Sequence, residues 1–375
     1  MTEQTYHIFL VVRPGLENIT RDEILFKFPK LSSLKIEVVG GGLEIKEVPL
    51  NIIYTFQYYL KTVTRILLRI DSFKARDLPK LYKKAKKIPW NKYFIACTPD
   101  IHIKSSESRL FDDRKISKTI ISAINDYQEA NACKKKLIEE YGNKSQAIYV
   151  RILKDEVMMS YDCTGERMDL RGDKTHTTMA PIRASIASAM VQLIKNGENE
   201  YKTIFDPMCG SGTLIKEYIN YQNRMQREFN LNNSPLFKDI KSLDIEINEP
   251  QKINFICSDI DEKAINATKL NLKEEIQRKR NISIRKEDFF TNDISTNEAK
   301  ESLILLNPPY NKRIKYEQNP KVFTDKIKES LIKTNAKLIC IIHPHKFKLN
   351  TYKAKHFGPI NNGGIKTFIS LLERK

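Results

Sequence analysis

Apolar positions change period several times along the first 70 residues. His7-Ile8-Phe9-Leu10-Val11-Val12 has the look of a short strand, and Pro14-Gly15 breaks it. Leu16, Ile19, Ile24 and Phe28 then recur at helical spacing. Residues 34–39 and 43–48, joined by Gly40-Gly41-Gly42, predict a hairpin. A helix follows over 49–61, with proline tolerated in its first turn, and 65–70 predicts another strand. Next, 93–97 and 100–105 predict extended chain. Residues 114–127 place Ile116, Ile120, Ala123, Ile124 and Tyr127 on one helical face. The alternation in 147–153 and 156–162 predicts a second hairpin. From about residue 180, helices over 182–195, 214–227, 262–279 and 322–333 are interleaved with strands. Those strands fall at 203–205, 254–258, 283–285, 303–306, 336–342 and 367–371. Such interleaving predicts an α/β fold with a doubly wound parallel sheet. Residues 228–252 form a polar insertion ahead of its second strand.

A chain of 375 residues is long enough for two or three cores. The longest apolar runs fall far short of the roughly 20 residues of a membrane helix. Met1-Thr2-Glu3-Gln4 lacks the basic-then-apolar order of an export signal. A cytoplasmic protein without a membrane partner is therefore expected. The six cysteines are scattered with neither CxxC nor disulfide spacing. His343-Pro344-His345 is the one close histidine pair, and no carboxylate lies beside it in sequence, so no metal is expected.

The formal charge of +18 is segregated. Residues 61–100 hold eleven Lys/Arg against three acids, and 311–375 hold fifteen against four. Two basic zones on a nearly neutral body point to a polyanion, most simply nucleic acid. A lysine-rich genome would raise the total without segregating it. Lys83, Lys84, Lys86 and Lys87 are candidate phosphate contacts. The competing reading of that run is a solvated helix face, and Trp90 beside it is expected to be buried.

Two motifs carry candidate chemistry. Asp206-Pro207-Met208-Cys209-Gly210-Ser211-Gly212-Thr213 follows an apolar run and precedes a helix. In doubly wound folds, ligands bind at the carboxyl ends of the strands. Glycines there let a ligand approach the backbone, and the helix start near Thr213 offers free N–H groups. Neither GxGxxG nor GxxxxGK[ST] is present, which argues against nicotinamide enzymes and phosphate-binding loops. Asp206 would repel phosphate. It suits the ammonium and sulfonium charges of S-adenosylmethionine. Asp259, with Ile260 beside it, ends the next strand and could accept from ribose hydroxyls, while Asp261 caps the helix that follows. Asp288-Phe289 could take an adenine amine and pack its ring. The second motif is Asn307-Pro308-Pro309-Tyr310. Its prolines fix Asn307 relative to Tyr310. The Asn307 side-chain oxygen and the Pro308 carbonyl can accept from an exocyclic amine, and Tyr310 can stack on the base.

These two motifs resemble those of the class I S-adenosylmethionine-dependent amino-methyltransferases. More narrowly, almost the whole chain is similar to the THUMP-domain RNA guanine-N2 methyltransferases, the group acting on bacterial 23S rRNA. The similarity runs through Arg13-Pro14-Gly15-Leu16-Glu17, Ile88-Pro89-Trp90, 105–125, Asp162-Cys163-Thr164-Gly165, Leu170-Arg171-Gly172-Asp173-Lys174 and Ala180-Pro181-Ile182-Arg183. The resemblance implies a ferredoxin-like subdomain over 1–70, a THUMP RNA-binding domain over 71–165 and a Rossmann-like methyltransferase domain over 166–375. It also implies S-adenosylmethionine as cofactor, held around Asp206, Pro207, Gly210, Gly212, Thr213, Asp259, Ile260, Asp288 and Phe289. Target-base handling falls to Asn307, Pro308 and Tyr310. RNA contact is expected from the four lysines together with Arg171, Arg183 and Arg313. The family usually continues its tetrapeptide with glycine and an acid before arginine, whereas Asn311-Lys312 stand here. Relatives in the same group act on tRNA. A DNA adenine-N6 or cytosine-N4 enzyme and a non-catalytic RNA-binding protein are the competing classes.

Overall fold

The computed structural model describes residues 4–94, 97–131, 146–171, 176, 182–197, 200–243, 245, 253–278, 280–291, 301–310 and 319–375. They form two compact units. The first gathers the described parts of 1–12, 30–168 and 224–244, and the second those of 13–29, 169–223 and 245–375.

The first unit is built on strands β1 (Thr5–Val12), β2 (Ile36–Val39), β3 (Gly42–Pro49), β4 (Val63–Lys74), β5 (Asp100–Ser106), β6 (Ala147–Leu153) and β7 (Glu156–Asp162). They make one sheet in the order β2-β3-β1-β4-β7-β6-β5. Among these strands only β5 and β6 run parallel. Residue 70 lies inside β4, which pairs with β1 on one side and β7 on the other, so one sheet spans that position. Among the described residues this unit carries helices α2 (Leu50–Tyr59), α3 (Leu78–Ala85) and α4 (Asp113–Ala130). Asp112 caps α4 by accepting from the Arg114 and Lys115 N–H groups, and Ile116, Ile120, Ala123 and Ile124 are its buried face. The expected strand over 93–97 is not seen among the described residues. Trp90–Lys92 form a 3-10 turn instead, and fully buried Trp90 donates its indole N–H to the Ala85 carbonyl at 2.9 Å. The polar insertion contributes to this unit, where Leu231 N–H donates to Cys163 O at 2.9 Å.

The second unit carries β8 (Thr203–Asp206), β9 (Asn254–Asp259), β10 (Ile282–Lys286), β11 (Ser302–Leu306), β12 (Leu338–His343), β13 (Tyr352–Asn362) and β14 (Ile365–Arg374). Their order is β10-β9-β8-β11-β12-β14-β13. The first five are parallel, and the last two form an antiparallel hairpin on one edge. The sheet is thus mixed, and β13 had no counterpart in the sequence pattern. Every residue of β8, β11 and β12 is buried, as expected of strands covered on both faces. The helices are α1 (Glu17–Lys27), α5 (Ala184–Lys195), α6 (Thr213–Ile219), α7 (Glu262–Asn271), α8 (Lys273–Gln277) and α9 (Pro320–Thr334). On one face, Phe323, Ile327 and Leu331 of α9 meet Phe205, Ile304, Leu306, Ile339 and Ile341 of the sheet.

Two helices are shorter than their patterns suggest. The one expected over 214–227 ends at Ile219, where the Asn220 side chain turns to donate to Glu275 Oε1 at 2.6 Å. The one expected over 262–279 divides into α7 and α8 at Leu272. Helix α1 groups with the second unit, not with the sheet that precedes it in sequence. There Lys27 Nζ donates to Glu23 at 2.7 Å and to the Tyr221 carbonyl at 2.8 Å, and the Lys27 and Glu23 side chains are both buried. Arg13 donates to Asp169 at 2.9 Å and Ser185 at 3.0 Å. Among the described residues no helix is long and apolar enough to cross a membrane.

Candidate active site

Strands β8 and β11 are neighbours, with Phe205 opposite Ile304. Their carboxyl ends therefore bring the glycine turn and the Asn-Pro-Pro-Tyr corner to one sheet edge. β9 delivers Asp259 and β12 delivers His343 to that edge. Four strand ends, drawn from positions 206 to 343, converge because parallel strands share a direction.

The glycine turn is sewn to its neighbours. Gly210 N–H donates to Asp259 Oδ2 at 2.9 Å, and Cys209 N–H donates to Ser258 O at 2.9 Å. Two side chains of α7 hold the other side. Thr268 Oγ1 donates to Gly210 O at 2.9 Å and Asn271 Nδ2 to Ser211 O at 3.0 Å. Gly212 sits at φ 75°, and a Cβ there would stand 3.1 Å from the Thr268 methyl. Only glycine fits both conditions. Thr268 and Asn271 were not singled out by the sequence. Their signal was two polar side chains three apart on the buried face of an amphipathic helix.

The acids at this edge differ in burial and in hydrogen-bond partners. Asp206 is almost wholly buried, and its Oδ2 has no hydrogen-bond partner among the described residues. Burial raises its carboxyl well above the usual range; the Met208 N–H opposes this and the Asp259 charge reinforces it. Asp259 is half-buried and already accepts from Gly210 and, at 3.0 Å, from Asp261 N–H. Asp261 caps α7 through Lys263 N–H. Asp288 accepts from Phe290 N–H at 3.0 Å. Ile260, just past β9, is 65% exposed. Phe289 corrects an expectation. Its ring is buried in the core cluster with Phe205 and Phe323, so packing accounts for it rather than a ligand ring.

At the corner, Asn307 Oδ1 is buried and unpartnered among the described residues. Pro308 is buried and Tyr310 half-buried. Tyr310 OH accepts from Asn362 Nδ2 at 2.8 Å, and its ring meets His343 edge-on, 6.2 Å between centroids. Burial lowers His343 to about 4, the neighbouring His345 adding to the effect. His343 Nδ1 accepts the His345 N–H at 3.2 Å, which leaves the ring proton on Nε2. Neither Asn362 nor His343 was assigned to the site from sequence.

The expected RNA contacts are divided between the two units. Lys83, Lys84, Lys86 and Lys87 are exposed at the end of α3, in the first unit, with Leu81 and Ala85 turned inward. Arg183 is exposed at the start of α5 in the second unit. Arg171 is a correction. Its guanidinium is buried and donates to both Glu217 oxygens at 3.1 Å and to Ser188 at 3.1 Å, which makes it a structural ion pair. Arg313, with Asn311 and Lys312, lies outside the described residues.

Two family models match this chain: the THUMP domain over residues 75–162 and the RMKL-like methyltransferase domain UPF0020 over 171–357. The ribosomal RNA large subunit methyltransferase K/L of Colwellia psychrerythraea is 25% identical over 96% of this chain, which spans about half (52%) of that relative. A candidate RNA methyltransferase of Bacillus subtilis, YpsC, is 28% identical over 82% of this chain and 80% of its own. Among solved structures, SMU.472, a candidate methyltransferase complexed with SAH, superposes with a TM-score of 0.76 at 19% identity. It covers 100% of this chain and 99% of its own. At that identity the likeness speaks for the fold.

Proposed function

We propose that this chain, which joins a THUMP domain to an RMKL-like methyltransferase domain, methylates the exocyclic N2 amine of a guanine in RNA, with 23S rRNA as the expected substrate. The carrying observation is a pair of buried acceptors at one sheet edge, Asp206 Oδ2 and Asn307 Oδ1, with no donor among the described residues. A buried polar atom left unpartnered costs about 1–3 kcal/mol, so two of them at the ends of neighbouring strands fit a site built for donors that arrive with ligands.

The residues present fit S-adenosylmethionine. Asp206 would take its ammonium group, Asp259 its ribose hydroxyls and Asp288 its adenine amine, with exposed Ile260 offering an apolar face. Gly210 and Gly212 give the close backbone approach. When bound, this cofactor supplies a methyl group made electrophilic by a positively charged sulfur. The protein's part is positioning. Asn307 Oδ1 and the Pro308 carbonyl accept hydrogen bonds from the two amine N–H groups. That draws the nitrogen lone pair out of conjugation and aims it. Tyr310 stacks on the base. After transfer the amine has one excess proton, which leaves to water.

RNA as the polymer is supported by the THUMP match and by what the K/L relative is named for. Within this reading, 71–165 hold the RNA and 166–375 carry the chemistry. Asn307→Ala tests the corner: methyl transfer should fall by at least about 100-fold, the scale of losing one preorganised polar contact. Cofactor affinity should stay unchanged. Normal transfer by that variant contradicts the assignment.

A further inference from the structure

The last hairpin ends beside the Asn-Pro-Pro-Tyr corner. β14 runs antiparallel to β12, with Phe368 opposite His343, so the turn joining β13 to β14 returns to the carboxyl edge of the parallel strands. Asn362 pairs with Ile365 across Gly363-Gly364, whose φ values of 64° and 89° make a two-residue turn that matches strand twist. The two asparagines before it have different duties. Asn361 is exposed and accepts Gly364 N–H at 2.8 Å, which stabilises the turn. Asn362 is 5% exposed and sends its amide to Tyr310 OH at 2.8 Å. The turn does not need that amide. An apolar side chain would fill the buried space without the desolvation cost of an amide. The amide is explained by the phenol it meets.

We propose that Asn362 is a positioning residue for methyl transfer, fixing the Tyr310 ring where the target base stacks. Tyr310 is then held at two places. Its hydroxyl is fixed by Asn362 from the hairpin turn, and its ring is braced edge-on by the His343 imidazole from β12. A ring with its rotation settled in advance loses less freedom when a base stacks on it. The edge hairpin is thereby part of the base pocket and not only a cover for the end of the sheet. This rests on the reading of the corner as the base site.

The test is a cycle of Asn362→Ala, Tyr310→Phe and the double variant, assayed for methyl transfer to RNA with cofactor affinity and melting temperature measured alongside. Each single variant should lower kcat/KM for RNA by about tenfold, the scale of one lost buried hydrogen bond. The double variant should be no worse than either single, because both remove the same bond. Cofactor affinity should not move. Multiplying losses, or a fall in cofactor affinity with Asn362→Ala, overturn the proposal in favour of a purely structural amide. If Asn362→Ala fails to fold, Tyr310→Phe decides alone, since full activity without the hydroxyl overturns the clamp. Absence of transfer to any RNA by the unaltered protein overturns the site reading and the clamp with it. Transfer by the unaltered protein with full activity in both singles overturns the clamp alone.

Discussion

Asp206 and His343 sit at the same sheet edge, and burial disfavours the charged form of each, raising the one and lowering the other. For Asp206, burial raises the carboxyl far above its ordinary value. Gripping a cationic ammonium requires the carboxylate, so at pH below that raised value cofactor binding should release a proton. Affinity for S-adenosylhomocysteine, which keeps the ammonium, should tighten as pH rises toward the raised value. Asp206→Asn should flatten that dependence, and calorimetry in buffers of different ionisation heat reads the proton directly. For His343 the folded value of about 4 lies below the unfolded 6.5. The neutral ring therefore contributes stability that is complete above pH 6.5 and lost as pH falls toward 4. The gap corresponds to roughly 3 kcal/mol at about 1.4 kcal/mol per unit. Melting temperatures from about pH 7 to about pH 4.5 should fall more steeply for the unaltered protein than for His343→Gln. At this scale the sequence was legible for the strand-end positions of Asp206 and Asn307 and for Asp261 as a helix cap. It was silent where a partner lies far along the chain. Nothing near Arg171 announces Glu217, 46 residues on, and a buried arginine looks like a surface one until its carboxylate is placed.

The elements were most legible where the apolar period was clean. α4 and the buried runs of β11 and β12 follow their patterns closely. β13 was missed because Lys353, Lys355 and His356 interrupt the apolar signal along it, while Asn361-Asn362-Gly363-Gly364 was an unused turn signal. α6 was overdrawn because Tyr221 continues the helical spacing although its buried hydroxyl bonds to Gln192 of α5. The placement of α1 could not be read locally, since its anchoring depends on α5 and the segment after α6. Lys27→Ala, which removes one charge of a buried ion pair, should cost roughly 3–5 kcal/mol by denaturant unfolding. Replacing both, Lys27→Met with Glu23→Leu, should recover much of that loss. The glycine turn is checked by Gly212→Ala: strain at φ 75° and the Thr268 contact should weaken cofactor binding and lower the melting temperature together.

At the scale of the molecule, the segregated charge is the feature composition revealed first, and the exposed lysines at the end of α3 give part of it a location. Phosphate contacts are screened by salt, so RNA affinity should fall linearly in log–log plots against salt. Replacing Lys83, Lys84, Lys86 and Lys87 with alanine should shallow that slope by roughly 0.7–0.9 for each lysine that touches phosphate. The methyl-transfer rate at saturating RNA should be unchanged. An unaltered slope would assign those lysines to a solvated face. The atom that receives the methyl group can be read in one measurement. RNA from cells lacking this protein is incubated with it and methyl-labelled S-adenosylmethionine, then digested to nucleosides and resolved by mass spectrometry. The label should appear as N2-methylguanosine from 23S rRNA. Label in N6-methyladenosine or N4-methylcytidine, or unmodified RNA beside labelled DNA, would contradict methylation of guanine N2 in RNA.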